Sequence, residues 1–163
     1  MNLNGGMLRV MISETMKPVR QTRLAGTDGE TPGNCFQACL ASIFDVPLED
    51  VPDWKDRIDA YRGDKRTPKC RDRTWQQHWM DVQHWLRDAF QLTMLEVKAG
   101  SIQGFDMHEE CLSIATGRSR RGTLHACVAR GKEIVHDPHP KNEGLNRIST
   151  FTYFVNLHPD GDK

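Results

Sequence analysis

A thiol, an imidazole and a carboxylate stand in this sequence in an order that suits nucleophilic chemistry. Cys35 lies in Gly33-Asn34-Cys35-Phe36-Gln37-Ala38-Cys39-Leu40-Ala41-Ser42-Ile43-Phe44, where a loop ends and an apolar helix is expected to begin. Free backbone N–H groups and the positive end of the helix dipole favour a thiolate over a thiol at such a place. A thiol nucleophile needs a histidine close enough to take its proton, and that histidine is usually held by a third polar side chain. His125 interrupts the otherwise strand-like run Thr123–Ala129 and is the candidate base. Asp137 closes the next run, Glu133–Asp137, just before Pro138, and is the candidate orienting acid. His136 is the reserve base.

Whether His125 and Asp137 meet depends on the hairpin between them. A three-residue loop Arg130-Gly131-Lys132, using glycine's tolerance of positive φ, sets 129 opposite 133 and therefore 125 opposite 137. A two-residue turn shifts the register by one and sends the two side chains to opposite faces.

The elements that must position these groups follow the chain. Residues 1–15 read as an extension with a short strand at Leu8–Ile12. The turn formers Ala25–Gly33 deliver the chain to Cys35. Phe36, Leu40, Ile43 and Phe44 then recur as the buried face of a helix that Asp45-Val46-Pro47 ends. Leu48–Trp54 can hold one more helical turn. The basic stretch Tyr61–Arg73, with Arg62, Lys65, Arg66, Lys69, Arg71 and Arg73, reads as an exposed loop. Thr74 caps a helix whose stripe is Trp75, Trp79, Val82, Leu86 and Ala89/Phe90. Beyond it the period becomes strand-like at Leu92–Val97, Cys111–Ala115, Thr123–Ala129, Glu133–Asp137 and Phe151–Leu157, with a possible helical turn in Gly100–Glu110. Helices first and strands second predict an α+β domain, N-terminal helices packed on a C-terminal antiparallel sheet, in one domain over 16–160.

The 163 residues suffice for a single core, and 22 basic residues balance 22 acidic ones, so no global field draws in nucleic acid or anionic membrane. A nucleic acid would have to use the basic 62–73 loop. Five irregularly spaced cysteines read as reduced thiols, and no apolar run reaches the roughly 18 residues that span a bilayer. A cytoplasmic protein with no membrane partner is expected.

Gly-Asn-Cys-Phe-Gln-Ala-Cys-Leu-Ala-Ser opening a helix, followed by His125 on a strand and Asp137-Pro138 on the next, resembles the papain-like cysteine hydrolases, closest to the bacteriocin-processing (C39-like) peptidases. Lys17–Thr22, Gly33–Phe36, Pro47–Pro52 and His136–Pro140 together also resemble a group of small phage-encoded proteins. The resemblance implies a papain-like fold with Cys35 as nucleophile, His125 as general base and Asp137 as orienting acid, acting on a peptide, protein or small amide or acyl substrate with no metal or organic cofactor. It also implies a glutamine donor to the oxyanion shortly before the cysteine. Six residues before Cys35 stands Gly29; Gln21 is the nearest upstream glutamine, and Asn34 is a substitute donor by position.

Two other readings compete. Cys35, Cys39, Cys111, His125, Cys127, His136 and His139 supply enough ligands for structural zinc, although their spacing matches no finger type. A papain-like scaffold without turnover, acting as a binding protein, is the other. In the hydrolase reading Cys39 is core and Cys70 a surface thiol.

Overall fold

The computed structural model describes residues 16–25, 33–55, 68–101 and 111–157. The extension 1–15 with its strand at Leu8–Ile12, loop positions 26–32, residues 61–67 of the basic run and positions 102–110 lie outside the described residues.

Helix α1 spans Cys35–Phe44, a 3-10 turn Leu48–Asp50, and helix α2 Pro68–Phe90; strands β1 Leu92–Lys98, β2 Leu112–Ser119, β3 Leu124–Arg130, β4 Glu133–His136 and β5 Leu145–Asn156 follow. The α+β expectation holds. The five strands form one sheet in the order β1-β5-β2-β3-β4, with each described pairing antiparallel.

Helix α1 buries Gln37 to Ile43 and ends at Asp45, which takes a left-handed conformation (φ 50°) and donates its N–H to the Ala41 carbonyl. Aspartate tolerates that conformation better than most side chains, and Pro47 prevents the helix from resuming. Helix α2 begins at Pro68, six residues before the expected cap at Thr74. Proline suits a first helical position because its φ is preset and it has no N–H to leave unpaired. Lys69, Arg71 and Arg73 therefore belong to a helix rather than to the exposed loop expected at 62–73.

Val82 and Leu86 of α2 are fully buried, and Trp79, Trp85 and Phe90 pack against the core they share with α1. Phe44 anchors this layer, its ring stacked on Phe90 at 4.5 Å and edge-on to Phe154 at 5.0 Å. The facing side of the sheet presents Leu112, Ile114, Ala126, Val128 and Phe154. On the opposite face Ala115, Ala129, Phe151 and Tyr153 form a second cluster with Val97, Ile134, Leu145 and Ile148. The C-terminal half of β5 is thus buried on both sides, whereas Leu145–Thr150 is half exposed. That is why only the part from Phe151 onward reads as a strand by composition. No helix among the described residues is long and apolar enough to cross a membrane.

The β2–β5 pairing shifts register between Thr116 and Gly117, and there the strands nearly touch. A Cβ on Gly117 would lie 1.9 Å from the Arg147 carbonyl oxygen and 2.9 Å from its carbon. Both obstacles are backbone and cannot swing away. Gly117→Ala is expected to cost about 3 kcal/mol of stability, the scale of a backbone clash at a bulge, read as a shifted urea midpoint with an unchanged slope.

Candidate active site

The hairpin that brings His125 to Asp137 differs from the expected one in two ways that offset each other. Its turn contains two residues, Gly131 and Lys132, because Arg130 pairs with Glu133. Gly131 adopts φ 57°, which a two-residue hairpin with glycine first requires. Continued evenly, that register would put 125 and 137 on opposite faces. It is not continued evenly: Ala129 pairs with Ile134 but Val128 with His136, so Val135 is an extra residue in β4. This bulge restores the parity. The direct opposition of 125 and 137 expected from a three-residue loop is therefore incorrect. Asp137 instead falls across from Cys127, with His125 its diagonal neighbour on the same side of β3.

His125 Nε2 lies 2.7 Å from Asp137 Oδ1, both side chains almost fully buried. The carboxylate is held by main-chain donors as well: the His139 N–H reaches Oδ1 and the Gly144 N–H reaches Oδ2, each at 2.8 Å. Burial alone would raise the Asp137 pKa, but the His125 hydrogen bond and these two N–H groups hold it well below the usual carboxylate range. Burial pulls the His125 pKa down, yet Asp137, followed by interactions with Cys127 and Cys35, pushes it well above the imidazole range. With Nε2 committed to Asp137, Nδ1 is the nitrogen left for the thiols.

Cys35 is half-buried at the first position of α1, whose start carries no side-chain cap on its N–H groups. It opens with His125 into one cavity of about 500 Å³ that Gln21, Phe36, Trp79 and His139 also line. Cys127 is buried, and burial raises its pKa despite the neighbouring imidazole; Cys39, one turn into α1, is raised well above the ordinary range by burial and by Cys35. These two thiols are shielded, and Cys35 is the one facing the cavity.

The motifs Lys17–Thr22 and His136–Pro140 lie against each other. The Gln21 N–H donates to the Pro138 carbonyl at 3.1 Å, and Arg20 Nη1 donates to the carbonyls of Asp137 and His139 at 3.1 and 2.8 Å. The Val19 N–H donates to Ser42 Oγ of α1 at 2.9 Å. Residues 19–21 thus tie the cysteine helix to the aspartate loop. Arg20, which residue type alone did not single out, is the charged member of that tie.

Gln21 reaches the site despite its distance in sequence. The Asn34 N–H donates to the Arg23 carbonyl at 3.0 Å, and a Cβ on Gly33 would meet the Ala25 nitrogen at 2.9 Å and Gln21 Nε2 at 3.4 Å. Ala25 and Gly33 lie side by side, so Gln21, fourteen residues before Cys35, lines the same cavity as the thiol. Gln21 Nε2 donates one hydrogen to the Arg23 carbonyl at 2.8 Å, which leaves its second for the cavity.

Asn34 is not a substitute oxyanion donor. Its Nδ2 donates to Thr22 Oγ1 at 3.1 Å and to Gln37 Oε1 at 2.9 Å, while its Oδ1 accepts from the N–H groups of Thr22 and Arg23. Every hydrogen of its amide is spent on holding the Gln21 segment to α1. His136 is not a reserve base either. It pairs with Val128, whose side chain belongs to the helix-side core, and its Nε2 donates to the Val19 carbonyl at 2.8 Å.

Of the seven residues considered for zinc, Cys35, Cys39, His125 and Cys127 lie close enough to act on one another, whereas two of the histidines are engaged elsewhere. His136 is spent on Val19, and His139 Nδ1 accepts from the Lys141 N–H. Among the described residues, His125, Cys127 and Asp137 do offer ligand atoms within 4.8 Å of one another. However, Asp137 already accepts three hydrogen bonds, one of them from His125, so the carboxylate is arranged to orient an imidazole rather than to hold an ion.

Comparison of the chain with models of protein families, with curated proteins and with solved structures gives no match.

Proposed function

We propose that this chain is a papain-like cysteine hydrolase or acyltransferase acting on amide, peptide or related acyl bonds. The observation that supports the reading is the buried 2.7 Å bond between His125 and Asp137, which leaves Nδ1 for the thiol, on a ring that lines the same cavity as Cys35. In this reading Cys35 passes its proton to His125 and its sulfur attacks the acyl carbon, so the carbonyl electron pair moves onto oxygen. The Cys35 N–H and the free hydrogen of Gln21 Nε2 bind that oxyanion. His125 then hands its proton to the departing amine, leaving an acyl group on Cys35. Water or a second amine, deprotonated by His125, releases it. Asp137 stays ionised throughout and holds the ring.

The test is mass spectrometry of the intact chain after mixing with a panel of activated acyl esters and p-nitroanilides. A mass increase equal to the acyl group, mapped to Cys35 and absent from Cys35→Ala, supports the reading. A chain that binds the same compounds without forming the adduct is the silent scaffold instead.

A further inference from the structure

The cavity beside Cys35 is graded in character along its length, and that grading names a substrate class. Next to the thiol it is aromatic: Phe36 packs edge-on to Trp79 with centroids 5.3 Å apart. Its floor crosses the sheet along one row, where Ala126 of β3 pairs with Thr116 of β2, which pairs with Thr150 of β5, and all three line the cavity. At the far side is Glu96 of β1. Trp79 and Glu96 also line a second, smaller cavity of about 210 Å³, so the groove continues past them between α2 and the sheet.

The charges along this groove are unequal. Arg121 is matched by Glu143 at 2.8 Å. His78 is buried, and burial holds it towards its neutral form. Glu96 is exposed and makes no ion pair with another described residue. Glu96 lies one row along from this floor, opposite Thr152, while the β1 residue opposite Thr150 is Lys98, which is exposed and does not line the groove. Among the described residues that line the groove, the Glu96 carboxylate is the charge without an ion-pair partner.

From these observations, and resting on the cysteine-hydrolase reading, we infer that the groove takes an extended peptide with a large apolar side chain beside the reacting carbonyl and a lysine or arginine about four residues away. The spacing follows from the sheet. β1 is three strands from β3, about 14 Å at the usual strand separation, and an extended chain rises about 3.3 Å per residue. The reacting carbonyl lies at His125 on β3 with the apolar residue on Phe36, the main chain passes over the hydroxyls of Thr116 and Thr150, and the cation meets Glu96 on β1. Glu96 is then the residue that sets charge preference.

The experiment uses the full chain carrying Cys35→Ala, which separates binding from turnover, and fluorescein-labelled heptapeptide amides with one phenylalanine and one lysine, glutamine or glutamate moved through the remaining alanine positions. Fluorescence polarisation is expected to show the lysine peptide binding about two- to fivefold tighter than its glutamine counterpart at a separation of three to five residues, the scale of one exposed ion pair, with the glutamate peptide weakest. The advantage should disappear in 0.5 M salt and in Glu96→Gln, and reverse in Glu96→Lys. Equal binding of lysine and glutamine peptides at every separation overturns the inference, as does an advantage that survives Glu96→Gln. Absence of peptide binding by a variant with wild-type circular dichroism overturns it too. None of these outcomes bears on whether Cys35 forms an acyl adduct, which the wild-type chain tests separately.

Discussion

His125→Ala lowers turnover by about 10³- to 10⁶-fold, the range found when the base of a nucleophile–base pair is removed. In the proposed mechanism the ring has two jobs, taking the thiol proton and returning it to the leaving group. Among the other histidines near the site, His136 donates to Val19 and His139 Nδ1 is occupied by the Lys141 N–H. Neither can take over without repacking. The check is a single-turnover measurement with the acyl ester that forms the Cys35 adduct, comparing His125→Ala with Cys35→Ala. The two should fall to the same background, and their double variant no lower, as expected of residues that act as a unit.

Asp137→Asn carries the second large effect, and it reaches stability as well as rate. Three donors converge on the carboxylate: His125 Nε2 and the N–H groups of His139 and Gly144. An amide has one acceptor oxygen and its NH₂ must face at least one of those donors. Breaking a buried charged pair costs about 3 kcal/mol, or about 6–12 °C in Tm for a domain of this size. The asparagine also favours the wrong imidazole tautomer, so turnover should fall by about 10²- to 10⁴-fold.

The pH dependence of the stability effect follows from the two pKa directions. Asp137 is depressed, so its contribution is present above the unfolded carboxylate value of about 4 and fades as pH falls below it. His125 is raised, so its contribution is complete below the unfolded imidazole value of about 6.5 and fades as pH rises towards the folded one. Both contributions are complete only between about pH 4 and 6.5. The Tm difference between wild type and Asp137→Asn should be largest in that window and shrink on either side; a difference independent of pH would contradict the ion pair.

Much of the architecture was legible because it rests on local pattern. The period of Phe36, Leu40, Ile43 and Phe44 marks α1, and the change of period after Phe90 marks the sheet. Its segregation from the helices gives the α+β class. The order Cys35, His125, Asp137 was legible from residue type and from the loop and strand ends that hold them. What escaped was register and loop geometry, which depend on contacts distant in sequence. Gly131 fits either a two- or a three-residue turn, and nothing in Ile134-Val135-His136 distinguishes a bulged strand from a regular one. The place of Gln21 depends on positions 23–25 returning to 33–34. Asn34 reads as a donor by position, yet its neighbours in space, Thr22, Arg23 and Gln37, consume its amide.

The central claim is that the His125–Asp137 pair activates Cys35, and the rate of its alkylation by iodoacetamide tests this most directly. A thiol of ordinary acidity is about 3 % ionised at pH 7, so full ionisation can speed alkylation by at most about thirtyfold, less the lower nucleophilicity of a more acidic thiolate. Peptide-resolved mass spectrometry at pH 7 should find Cys35 alkylated about tenfold faster in the folded chain than in the same chain in 8 M urea, with the excess lost in His125→Ala. Cys35 reacting no faster folded than unfolded, or as fast without His125 as with it, would contradict the account.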